Sequence, residues 1–311
     1  MTDITGLTIS QTLTGWRLRL KANNRAEKTI VRYLHAVKTF ESWLTTEGLP
    51  TEVSAITRSM VEAYQIHLAD TGKAPATQAM AHKCLKQYFN YLLDDEEITR
   101  HPMAKIKVPH IPETAVPILD DGAVLAMLAT CTASDFTDRR DAAMLRLMVD
   151  AGTRREETAT ITLDAVDLDA GVVQVVGKGS NGQARPRLVT IGHGTAAALD
   201  KYLRARHGHR WAGKTNRLWL GERGGLGVDG VARMIQKRAR LAGLGHVHPH
   251  QLRHTWASNL KEANVQPDEI KALAGWRSNA MLDRYGRASV TRRAIASGRK
   301  HSTMDRLTRK G

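Results

Sequence analysis

Cysteine is nearly absent from the sequence. The only two, Cys84 and Cys131, lie far apart within helical patterns. They read as buried thiols, which excludes the disulfide framework of a small secreted scaffold. Long apolar runs are missing as well, so no segment is expected to span a bilayer, and no signal peptide is found. A soluble, cytoplasmic protein with no membrane partner is expected. Acidic residues are scarce relative to basic ones: 31 Asp+Glu face 46 Lys+Arg, a net charge of +15. Residues 1–110 hold 14 basic and 11 acidic side chains and the rest of the chain 32 and 20, so most of the excess lies in the C-terminal part. A domain-wide excess of this size suggests a polyanionic partner.

What is present is mostly amphipathic helix, in a chain of 311 residues whose length favours two domains. Leu13, Trp16 and Leu20 recur at helical spacing after a loose N-terminal tail, followed by Ile30, Leu34, Val37, Phe40 and Leu44 up to Gly48. Thr57 can cap a third helix carrying Val61, Tyr64 and Leu68. A fourth, from about Thr77 to Leu93, turns Met80, Leu85, Phe89 and Leu92 inward. Four short helices with little strand signal predict a small bundle over residues 1–107. Pro109, Pro112 and Pro117 then keep residues 108–119 extended, as a semi-rigid linker.

A second domain, mixed α and β, is expected from Asp120, which can cap a helix through Thr130. Another helix runs from about Thr137 to Asp150 and presents Ala142, Leu145 and Met148, with Gly152 as its stop. Val172–Val176 and Arg187–Ile191 have the β-branched content of strands, joined by the polar, Gly-bearing GKGSNGQARP run as a long hairpin loop. Helices follow at about 194–206 and 228–242, the latter with a basic face. Pro249 suits the first turn of a helix whose Leu252, Trp256 and Leu260 make the buried stripe. His250 and Arg253, three apart on a neighbouring stripe, can point together at one object outside the core. An imidazole beside a planar cation near a helix N-terminus suits a phosphate. Asp268–Ala274 reads as a short helix stopped by Gly275. Another, capped by Ser278 or Asn279, closes at Tyr285. The tail 286–311 carries eight Lys+Arg and one Asp.

HQLRH at 250–254, Gly275-Trp276 and Tyr285 nine residues later resemble the C-terminal signature of the tyrosine recombinases, the phage-integrase family. AGTRREE at 151–157 is similar to the family's first arginine box, with Arg154 as the arginine and Glu157 as its acidic partner. Val176-Gly177-Lys178-Gly179 is similar to its β-hairpin lysine. Five boxes occur in the family's order and spacing, over nearly the whole chain. The resemblance implies a mainly α fold with a small β-sheet: an N-terminal helical core-binding (SAM-like) bundle at 1–107, the linker, and an α+β catalytic domain at 120–285. It implies a C-shaped clamp on double-stranded DNA at core recombination sites and a tetramer on paired sites. The basic tail would be exchanged between protomers. About ten residues precede the first helix, so the compact form without an arm-binding domain is expected.

The implied activity is that of a site-specific recombinase or integrase, acting through a 3′-phosphotyrosine without metal, ATP or other cofactor. Tyr285 would be the nucleophile, because a tyrosine phosphate ester conserves the bond's free energy for resealing. Tyr33, Tyr64, Tyr88, Tyr91 and Tyr202 lie in helices that use them as core or flank. Arg154 and Arg253 would neutralise the charge of the pentavalent transition state. Lys178 is the matching general acid for the 5′-oxygen, and His250 the candidate base. Glu157 would hold the arginine or the histidine. Trp276 stands where histidine is more common in the family. It can donate a hydrogen bond and pack the site but cannot shuttle a proton. His246, His248 and His250 would face one way on a strand, as metal ligands do, but Pro249 and the helix after it argue against one. A non-catalytic DNA-binding regulator on the same fold is the alternative, against which the complete set of reactive residues weighs. A type IB topoisomerase is disfavoured because such enzymes act alone.

Overall fold

The computed structural model describes residues 6–112, 117–178 and 184–276, together with parts of 295–308. Contacts divide these into two compact units, one up to residue 112 and one from residue 117 onward.

In the first unit the caps and periodicities of the sequence become four helices: α1 (Ile9–Ala22), α2 (Glu27–Thr46), α3 (Arg58–Asp70) and α4 (Pro75–Asp94). Thr8 caps α1, its own N–H donating in return to Gln11 Oε1 at 2.7 Å, while Thr57 caps α3. Pro75 starts α4, where a missing N–H costs nothing. Trp16, 1 % exposed, is the centre of the core and meets the rings of Tyr33, Tyr88 and Tyr91. Phe40 packs on Trp43, Tyr64 and Phe89. The fully buried ones, Trp16, Phe40, Tyr88 and Phe89, are each worth about 3–5 kcal/mol against alanine, so these rings hold the bundle.

The second unit is built on α5 (Asp121–Ala129), α6 (Phe136–Ala151), α7 (Arg155–Thr160), α8 (His193–His207), α9 (Val228–Leu241), α10 (Pro249–Glu262) and α11 (Pro267–Ala274). A short helix also occurs at Thr303–Thr308. Its antiparallel sheet runs β1 (Val166–Asp167), β2 (Val172–Lys178), β3 (Ala184–Thr190) in spatial order. A separate two-residue pair joins β4 (Leu220–Gly221) to β5 (Gly224–Gly225). Strands β1, β4 and β5 were not anticipated, because two residues are too few to show alternation. On β2 and β3, Val173, Val175 and Val189 are buried while Val176 and Leu188 face out. Lys178 pairs with Ala184 at the loop end of the hairpin, and Val175 pairs with Arg187.

Three expectations need correction. Cys131 lies just beyond α5 and is only partly buried. Leu260 is partly buried, flanking a small cluster of Trp256, Ala257, Ile270, Ala274 and Trp276 instead of continuing the main core. The basic face of α9 is not wholly exposed: Arg238, 2 % exposed, donates to Asp141 and Asp138 and to the carbonyl of Thr130, joining α9 to α6 and α5. A buried guanidinium is tolerated there because its donors meet carboxylates and a carbonyl.

One glycine is required on two grounds. Gly152 ends α6 at φ +56°, the left-handed region, and a Cβ there would lie 2.2 Å from the Trp256 ring. The chain can therefore turn from α6 into α7 only with the indole of α10 pressed against its bare backbone.

Candidate active site

The site is assembled where α6, α7, β3, α10 and α11 end or begin. Arg154 is the N-cap of α7 and Glu157 its third residue. That spacing lets the Glu157 carboxylate reach back to the Arg154 N–H, with Oε2 accepting at 2.8 Å. The same carboxylate takes the Arg154 side chain, Nη1 donating to Oε1 at 2.6 Å. Arg187 then supplies a parallel fork from β3, with Nη1 to Oε1 and Nη2 to Oε2 both at 2.8 Å. Glu157 is 2 % exposed and accepts four hydrogen bonds, two from each arginine. Burial alone would raise its pKa. The fork of Arg187, the N–H of Arg154 and the two positive charges outweigh that and hold it at about 2, against the usual 4.5. Arg154, its side chain 30 % exposed, remains partly open to solvent.

Arg253 does not stand on the outside beside His250, as the three-residue spacing suggests. It is 1 % exposed, and its guanidinium donates to the carbonyls of Gly152 and, at 2.7 Å, of Ala274. These carbonyls lie at the C-terminal ends of α6 and α11, where four carbonyls lack helical partners and the macrodipole is negative. A cation is favoured there even without water. Helix α10 is buried at every position from Leu252 to Ser258, which forces Arg253 inward. Its charge lies 5.7 Å from the Trp256 ring and 5.2 Å from the Trp276 ring, in cation–π range. Trp276, 7 % exposed, is a packing element of the site.

His250 keeps an exposed edge on the first turn of α10. Enclosure by protein, then the charge of Arg253, lowers its pKa below 6.5, with smaller effects from Arg154 and Arg155; Glu156 opposes them. The imidazole thus feels the charges of both arginine boxes, and one of these arginines, Arg154, is bonded to Glu157. The His246 and His248 rings meet edge to face at 4.2 Å, whereas His250 neighbours His254 at 6.5 Å. Among the described residues no group of three His, Cys, Asp or Glu could hold a metal ion.

Lys178 is described in its backbone only, at the end of β2, and Tyr285 lies outside the described residues. Of the other tyrosines, Tyr64, Tyr91 and Tyr202 have pKa values pushed up to about 12 by burial, and Tyr88 is raised further for the same reason. Tyr33 packs against Trp16. The four raised phenols are poorly suited to deprotonation and attack. Arg187 was not singled out from the sequence. The signal was available, because Arg187 and Val189 of β3 and Ile191 just after it alternate on one face, and an arginine in such a place needs a carboxylate.

Residues 118–292 match the phage integrase family, and residues 13–98 match the N-terminal SAM-like domain of phage integrases. The chain belongs to the phage integrase family and is a tyrosine recombinase, an enzyme of the site-specific recombinase class. Among its relatives is the tyrosine recombinase XerC of Pseudomonas aeruginosa (strain UCBPP-PA14), 30 % identical over 259 residues, 82 % of this chain and 81 % of that protein. XerC of Actinobacillus pleuropneumoniae serotype 7 (strain AP76) is 28 % identical over 88 % of each. Two solved structures share the fold. One is the XerH site-specific recombinase bound to a palindromic difH substrate in a post-cleavage complex, with TM-score 0.71, 18 % identity, and 93 % of this chain and 84 % of that one covered. The other is a lambda integrase tetramer bound to a Holliday junction, with TM-score 0.71, 19 % identity, and coverage of 92 % and 79 %. No helix among the described residues is long and apolar enough to cross a membrane.

The Glu157 cluster yields a pH-dependent prediction. Its folded pKa of about 2 lies below the ordinary 4.5, so its stabilisation is present above pH 4.5 and fades as pH falls toward 2. Glu157→Gln should lower unfolding free energy at pH 7 by roughly 3 kcal/mol. Urea titrations at pH 7 and near pH 3 should show that gap narrowing in acid. An equal gap at both values would mean that the carboxylate charge contributes nothing.

Proposed function

We propose that this chain cleaves and rejoins double-stranded DNA at specific sites through a 3′-phosphotyrosine formed on Tyr285, with no metal ion or ATP. The observation that carries this reading is the Glu157 carboxylate, which fixes Arg154 at a partly exposed position while Arg253 and His250 stand in the same electrostatic neighbourhood. A net charge of +15 and neighbours solved on DNA, one as a tetramer, support the substrate class. Residues 1–107 would then be the core-binding bundle, 108–119 the linker and 120–285 the catalytic domain. The tail 286–311 would pass between protomers of a tetramer on paired sites.

In this mechanism the Tyr285 oxygen attacks phosphorus and the 5′-oxygen departs, leaving the 3′-phosphate esterified to the enzyme. Resealing is the same reaction reversed, so no energy cofactor is consumed. Arg154 reaches the non-bridging oxygens, and Arg253 adds its charge from behind, its geometry fixed by two carbonyls. Because its pKa is lowered, His250 is mostly neutral at pH 7 and can accept or relay the phenolic proton. Lys178 protonates the 5′-oxygen. Trp276 packs the site and moves no proton.

Three substitutions test these roles on duplexes recovered by sequencing the wild-type protein's covalent adducts. Tyr285→Phe should bind those duplexes normally yet give no adduct on a denaturing gel. An adduct persisting in that variant would place the nucleophile elsewhere.

Lys178→Ala should slow cleavage by roughly two to four orders of magnitude, the usual worth of a general acid. A 5′-bridging sulfur leaves as a thiolate and needs no proton, so it should restore most of the rate to Lys178→Ala but not to Arg154→Ala. If sulfur fails to rescue, Lys178 is only a DNA contact.

A further inference from the structure

We propose that Arg187 is a positioning residue for strand cleavage, holding Arg154 and the hairpin that carries Lys178 in one fixed arrangement. The proposal rests on the recombinase reading above.

Arg187 lies on β3 opposite Val175, on the inward face of the sheet, with its side chain 12 % exposed. All three guanidinium nitrogens are engaged. Nη1 and Nη2 grip the two oxygens of Glu157, and Nε donates to the Leu273 carbonyl at 2.8 Å, in the last turn of α11. Two glycines press on the same group. A Cβ on Gly177 would lie 3.1 Å from Glu157 Oε1 and 3.5 Å from Arg187 Nη1; one on Gly275 would lie 3.3 Å from Arg187 Cδ. Gly177 immediately precedes Lys178, and Gly275 immediately precedes Trp276. One side chain therefore adjoins the backbone before the lysine, the carboxylate that orients Arg154, and the backbone before the tryptophan.

Neutralising Glu157 alone would need only a positive charge. A planar fork with a third donor at a different angle is something lysine cannot supply. The groups that face Glu157 are few. Arg154 comes from the start of its own helix, where Arg155 and Glu156 pair with each other; Arg187 comes from β3; and β2 offers the Gly177 backbone. Helix α9, packed against α7, brings Asp229, whose partner is Arg155. The nearby α11 carbonyl bonds Arg187 and not the carboxylate. Without Arg187, Glu157 keeps half its hydrogen bonds in a buried place, and its protonation moves up toward working pH. A protonated Glu157 holds Arg154 less well, so loss of Arg187 should be felt most in acid.

The test compares wild type, Arg187→Gln and Arg187→Lys as full-length proteins. Single-turnover cleavage is followed from pH 5 to 8 on the duplexes recovered from wild-type adducts. Arg187→Gln should be slower by about 10²-fold at neutral pH, the cost of a small misplacement of catalytic groups. Its deficit should deepen as pH falls, while DNA affinity stays within a few-fold of wild type. Arg187→Lys, which keeps the charge but not the fork, should remain about tenfold or more below wild type. A merely structural role would lower the rate evenly across pH. Either that even loss or a wild-type profile in Arg187→Gln overturns the proposal. If wild type forms no adduct on any duplex, the recombinase mechanism itself fails, and the coupling is read separately from the ¹³C carboxyl titration of Glu157, assigned with Glu157→Gln. That titration should move from its depressed wild-type position to above the ordinary 4.5, into the range of the cleavage assay, in Arg187→Gln. An unmoved titration overturns the coupling on its own.

Discussion

A buried carboxylate is the constraint on which the catalytic unit depends. Desolvating one ion costs several kcal/mol and is recovered only when every lone pair has a partner in good geometry. Glu157 meets that condition through four hydrogen bonds from two arginines. None of the groups can shift alone. The N-cap of α7 sets where the carboxylate lies, the carboxylate sets where Arg154 points, and the β3 register sets where the second arginine arrives. A network in low dielectric that is fully satisfied favours one arrangement strongly, because each partial arrangement leaves a charge stranded.

A second cation does similar work with carbonyls in place of a carboxylate. Arg253 closes the C-terminal ends of α6 and α11, and Arg187 bonds the same last turn of α11 through Leu273. Two arginines thus satisfy helix ends that would otherwise need water. Gly152 and Trp256 complete the junction, since only a residue without Cβ lets the indole approach so closely. Arg253 therefore serves as an anchor of the framework as well as a source of positive potential. The site's framework is drawn from helix termini and a strand, and preorganised charge of this kind needs no reorganisation when a phosphate arrives.

Local signals made much of this legible. Thr57 and Asp120 announced helix starts, Gly152 and Gly275 announced helix ends, and the three-residue step from Arg154 to Glu157 is the step a helix N-terminus needs for such a pair. What escaped depends on contacts between distant segments. Spacing places His250 and Arg253 on adjoining stripes, but which stripe meets protein is decided by α6 and α11, far away in sequence. Arg187 was passed over because a strand beginning in arginine looks like a strand with a polar end. Its inward orientation is shared with Val189 two residues on and is fixed by pairing with the buried Val175. Cys131 slipped out of α5 because helix ends are the least determined part of any periodic pattern.

The central claim is that this framework serves a tyrosine that becomes covalently bound to DNA. The most direct measurement is to trap the protein on its recovered duplex, digest both polymers, and sequence the nucleotide-bearing peptide by mass spectrometry. The account predicts a single modified peptide, carrying a 3′-phosphonucleotide on Tyr285. Modification of a serine, of one of the buried tyrosines, or through a 5′-phosphate would contradict it.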